Sequence, residues 1–101
     1  MPEDRTYSTS ICDLGTDRLR LRHPAVIVID EGEHEGGDHY IAYWPELDAW
    51  AEGERRLEAI HGLKANVVSL YDDIAGEPDD KLGADMRLVK RALLAAIEDR
   101  P

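Results

Sequence analysis

The chain has a single cysteine, Cys12, among 101 residues. That excludes an internal disulfide and fits a reducing compartment. No apolar run approaches the roughly 18 residues that a membrane-spanning helix needs. The opening residues, MPEDRTYSTS, contain no charged-then-apolar leader, so the sequence predicts a cytoplasmic protein without a membrane anchor. Positive charge is also scarce. Twelve Lys and Arg side chains stand against 22 Asp and Glu, for a net charge of -10. Such a chain repels a phosphate backbone at long range and attracts cationic partners. Nonspecific nucleic-acid binding is therefore disfavoured. There are no internal repeats and no low-complexity tract.

A 43% share of hydrophobic residues and 34% charged residues describes a globular domain with one modest core and a well-solvated surface. The acid is unevenly spread. Residues 1–76 hold 16 acidic and 7 basic side chains, and residues 77–101 hold 6 and 5. Residues 1–17 are polar and weakly patterned, a loose arm with room for one short strand. Arg18–Arg22 alternates strictly, which predicts a half-buried strand with Leu19 and Leu21 inward. The β-branched run Ala25–Ile29 reads as a central strand buried on both faces. Asp30–Asp38, with three glycines and five carboxylates, reads as an exposed hairpin turn. His39–Trp44 is the next strand and Asp48–Glu52 a short one after it.

From about Arg55 to Ile74 the apolar period becomes helical, with Leu57, Ile60, Lys64, Val67, Val68, Tyr71 and Ile74 on one stripe. Gly62 within it lowers helix propensity by about 1 kcal/mol relative to alanine, which suggests close packing against a sheet. After the break at Gly76–Asp80 a second helix, Gly83–Asp99, carries Met86, Val89, Leu93, Ala96 and Ile97 on one face. The expected fold is α+β: an antiparallel sheet of three to four strands, one long helix packed on it, and an additional C-terminal helix. Residues 1–76 form the main domain with its arm. Residues 77–101 form a helix that packs on it or mediates self-association, since its apolar stripe exceeds what so small a sheet is expected to cover.

The sharpest local pattern is His39–Ala59, HYIAYWPELDAWAEGERRLEA. A short strand runs into a Pro-Glu-Leu turn; a second short strand, a glycine and a helix with an early Glu-Ala follow. Tyr40, Ile41, Ala42, Pro45, Glu46, Leu47, Gly53, Glu58 and Ala59 together resemble the HicB-like antitoxin domain, over about residues 19–75. Trp44 and Trp50 replace residues that are small or cysteine in that family, and Asp48-Ala49 replaces its usual Pro-Gly. Arg55 stands where Thr or Ser commonly caps the helix, so the cap passes to Gly53 or is lost.

The resemblance implies a partial, degraded RNase H-like fold without catalytic activity. It also implies a partner, a small basic HicA-like mRNA interferase that the domain binds and neutralises. Many members add a DNA-binding domain. The residues after Gly76 read as one helix, too little for a two-helix DNA reader, so direct DNA binding is not expected.

Candidate partner contacts are Glu31, Glu33 and Glu35 in the hairpin and Glu46 in the turn, with Trp44 or Trp50 as hydrophobic anchor. No cofactor and no metal is expected. Glu33, His34, Asp38 and His39 have the ligand types for zinc, but their crowding follows from the acidity of a Gly-Gly loop. Asp30, Glu46, Asp48 and Asp72 are the carboxylates that a two-metal nuclease remnant would draw on, yet no spacing singles them out. His23 and His61 have no partners by spacing. Arg18, Arg20 and Arg22 line one strand face and are expected to pair with neighbouring carboxylates. The remaining alternative is a self-associating HicB-like domain with no toxin partner.

Overall fold

The computed structural model describes residues 5–34 and 37–99, and the side chains of all of these except residues 33 and 34. The fold is α+β. Strand β1 spans Arg5–Ile11, β2 Leu19–Leu21, β3 Ala25–His34, β4 Gly37–Trp44 and β5 Ala49–Gly53. Helices α1 (Arg56–Ile74) and α2 (Ala84–Ala96) follow, and β6 (Ile97–Asp99) closes the order. Strands β1-β3-β4-β5 make a four-stranded antiparallel sheet, while β2 and β6 form a separate antiparallel pair.

The polar arm contains a seven-residue strand, paired with β3 from Arg5↔Glu31 to Ile11↔Ala25. The acidic segment expected to be a loop extends the hairpin instead. β3 and β4 stay in register from Val28↔Tyr43 out to His34↔Gly37. Strand pairing turns Asp30 to the outward face with Ile41 and Glu31 to the opposite face with Tyr40.

Burial of β3 on both faces is also corrected. Ile27 and Ile29 are fully buried, whereas Val26, the residue before Ile27, is 59% exposed. Among the described residues one face of the sheet is covered, with α1 lying against its β5 and β4 strands. Ala42, Ala51 and Ala59 are buried where helix meets sheet, and a Cβ at Gly62 would fall 3.0 Å from the Ala51 methyl. Small residues on both elements let the helix axis approach closely. The stripe of large residues expected for α1 therefore shifts: Ala59, Leu63, Val67 and Ile74 are buried, and Leu57 is exposed. Lys64 reaches out to Asp13, with Nζ 2.8 Å from Oδ1. Arg55 occupies the N-cap position with no side-chain capping bond.

Helix α2 ends at Ala96, short of the expected Asp99. Ile97 turns extended, and β6 supplies the partner that the three-residue β2 needs. Arg20 and Arg22 both reach Glu98, and Arg18 grips Asp72 with two 2.9 Å bonds. The arginine stripe is thus matched by carboxylates of this chain, and the Asp72 contact raises the Arg18 pKa. The apolar stripe of α2 faces the core, while Leu88 and Leu94 of the same helix are 62% and 41% exposed. Leu93 and Ile97 are buried, and Met86, Val89 and Ala96 pack against the core. Among the described residues no helix is long and apolar enough to cross a membrane.

Candidate protein-binding face

The face of the four-stranded sheet opposite α1 is set by strand alternation. Tyr40, Ala42 and Trp44 on β4 share the inner side with Ile27 and Ile29, so Ile41 and Tyr43 turn outward. One row crosses all four strands as Ser8, Val28, Tyr43 and Trp50. The adjacent row runs Thr6, Asp30, Ile41 and Glu52, and Val26 lies on the other side beside Ser10. The centre is apolar and aromatic, with Trp50 54% and Val26 59% exposed.

The Asp and Glu side chains of this face are not matched by Lys or Arg among the described residues. Asp30 and Glu52 lie in the second row, and Asp48 sits next to Tyr43. Thr6 Oγ1 donates to Asp30 Oδ1 at 3.3 Å, and His39 Nε2 lies 3.0 Å from Glu52 Oε2. Tyr43 donates its hydroxyl to Asp48 Oδ1 at 3.2 Å. Local desolvation and this carboxylate both raise the phenol's pKa, so it remains a neutral donor. Asp48 adopts φ 50°, a left-handed conformation that Asp tolerates better than most residues, and it closes the turn through its N–H to Pro45 O.

The anticipated contact residues do not come together. Trp50 is on the open face. Trp44, the other anchor candidate, is 2% exposed and lies in the core, its Nε1 donating to Glu46 Oε2 at 3.2 Å. Its place as a surface anchor is corrected. Glu46 is exposed in the short 3-10 turn Pro45–Leu47, at the end of the sheet. Glu31 pairs with Tyr40 and Arg5 on the helix side, opposite Trp50. The Glu33 side chain and Glu35 lie outside the described residues, as does His34's side chain, so the loop's zinc-type ligand set lies partly beyond description. Ile41, Tyr43 and Glu52 share the open face with Trp50 but were not among the expected contacts, and Asp30 was considered only as a metal-type carboxylate; the alternation of β4 and β5 was the signal that groups them.

The carboxylates considered for metal chemistry are dispersed. Asp72, on α1, accepts from Arg18, while Asp30 is on the far side of the sheet. Asp48 accepts from Tyr43 and Glu46 from Trp44. Among the described residues no group of three or more His, Cys, Asp or Glu is placed to hold a metal ion. Compared with known proteins, the chain matches no family model, no curated protein and no solved structure.

Proposed function

We propose that this chain is a non-catalytic, HicB-like antitoxin-type protein that binds a small basic protein, such as a HicA-like mRNA interferase, on its open sheet face. The observation that carries the reading is that face: an apolar row ending in Trp50, flanked by Asp30, Asp48 and Glu52 and devoid of Lys and Arg among the described residues. Buried aromatic anchors resist dissociation, and charges at a rim mainly accelerate encounter. A net charge of -10 supports a cationic partner and opposes nucleic acid.

The test is co-expression with the product of the adjacent gene, then surface plasmon resonance on the purified pair. Trp50→Ala is expected to speed dissociation about 30-fold, the size of a 2 kcal/mol hot spot. Asp30→Lys with Glu52→Lys should slow association and flatten its salt dependence. Glu31→Lys, on the opposite face, should do neither. Binding unchanged by the first two variants, both folded, overturns the assignment.

A further inference from the structure

The sheet has two edges, and they are treated differently. At the β5 edge, helix α1 sends the Asn66 side chain to the strand, its Nδ2 donating to Trp50 O at 2.8 Å. A Cβ at Gly53, at the end of β5, would fall 2.9 Å from Glu58 Cβ and 3.0 Å from Ala59 N of the same helix. That edge is closed. β1 forms the other edge: among the described residues nothing pairs with its outer side. It runs seven residues, RTYSTSI, in unbroken register with β3. It has no proline and no bulge, and its single charged side chain, Arg5, stands at its first position, so the other six residues lack the devices by which natural edges avoid pairing.

We infer that β1 is the self-association edge of this protein, pairing antiparallel with β1 of a second copy about a two-fold axis at Ser8. Three observations select a second copy as the occupant. Two chains that each carry -10 must meet where acid is absent, and β1 contains one arginine and no carboxylate. A two-fold at Ser8 pairs all seven residues, placing Thr6 opposite Ser10 of the other copy and the small Ser8 opposite itself. Because the β5 edge is capped, the four-stranded sheet of each copy offers one open edge among the described residues. The pairing therefore closes as a dimer instead of propagating into a fibre. The inference does not rest on the proposed partner, and it moves self-association from α2, whose stripe faces the core, to the sheet.

The full chain should sediment as a dimer at micromolar concentration. Thr6 and Ser10 are exposed on the outward side, so charge can be introduced there without disturbing the core. Thr6→Lys with Ser10→Lys creates two like-charge pairs across the axis, each disfavoured by up to about 1 kcal/mol. Dissociation should become about tenfold or more easier. Thr6→Lys with Ser10→Glu creates two opposite-charge pairs and should restore the dimer. Circular dichroism and melting follow the fold of each variant. Should the double-lysine variant fail to fold, backbone amides decide: in wild type the outward β1 amides should exchange more slowly at high concentration than on dilution. A wild-type monomer at 100 micromolar and above overturns the inference. So does a dimer that both charge designs leave equal, or one that Leu88→Asp on α2 dissociates while the β1 designs do not.

Discussion

Replacing Gly53 by alanine isolates the joint between sheet and helix. A Cβ built there falls 2.9 Å from Glu58 Cβ and 3.0 Å from Ala59 N, whereas ordinary contact begins near 3.4 Å. The Ala59 amide cannot yield freely, since it donates to Arg55 O at 3.1 Å in the first turn of α1. The end of β5 and the helix start must separate instead. Overpacking of this kind costs about 1–3 kcal/mol. The φ of Gly53 lies outside the left-handed region, so alanine also recovers about 0.4–1 kcal/mol by restricting the unfolded chain. The balance is a loss of about 1–2 kcal/mol, or a melting point lower by roughly 5–15 °C for a domain this size. Gly76 is the control, because a Cβ there meets nothing within 4 Å, and Gly76→Ala should be neutral or slightly stabilising. Calorimetry of both variants decides. If Gly53→Ala melts at or above Gly76→Ala, the close approach does not limit the packing.

The two tryptophans should separate cleanly in urea unfolding. Trp44→Ala, at a site 2% exposed, should lose about 3–5 kcal/mol, whereas Trp50→Ala should stay within about 0.5 kcal/mol of wild type; equal losses would refute the placement of either. Acid should reveal the surface ion pairs. The Lys64 ammonium and the Gly15 amide hold Asp13 below the ordinary carboxylate range, and Lys90 does the same for Asp79. A depressed folded pKa gives stability that is complete above the unfolded value, about 4, and is lost as pH falls through the folded one. Asp13→Asn with Asp79→Asn should therefore lower the urea midpoint slightly at pH 7, and the gap should close as pH drops below 4. A gap that stays constant down to pH 2 contradicts the ion-pair account.

Much of the architecture was legible because local chemistry and fold agree. Pro45 ends β4, having no N–H to continue the ladder, and the helical period begins within a residue of the true start of α1. What was not legible turned on distant partners. Ile97–Asp99 continues the pattern of α2, yet it leaves the helix to pair with β2, almost eighty residues earlier in sequence. The site depended on one turn. Trp44 and Trp50 are an even number of residues apart and would share a face on one continuous strand. The Pro45–Leu47 turn and the left-handed Asp48 reset the register so that Trp44 opposes Ala49 and Trp50 opposes Tyr43. One tryptophan is then core and the other surface. Alternation shows which residues share a face, but not which face the helix will cover.

The two surfaces proposed here constrain each other. A two-fold at Ser8 leaves both outward faces on the same side of an eight-stranded sheet, with the Ser8–Val28–Tyr43–Trp50 row of one copy continued by its equivalent. Trp50 lies on β5, the strand farthest from the axis, so the two indoles are separated by seven strand spacings, roughly 33 Å at about 4.8 Å each. One small basic protein cannot seat against both anchors. If both proposals hold, each half of the dimer takes its own partner, and the Trp50→Ala effect on dissociation should be the same whether the partner meets the dimer or a dissociated β1 variant. A partner that bound only the dimer would place its contacts across the axis, on Ser8 and Val28, and not at Trp50.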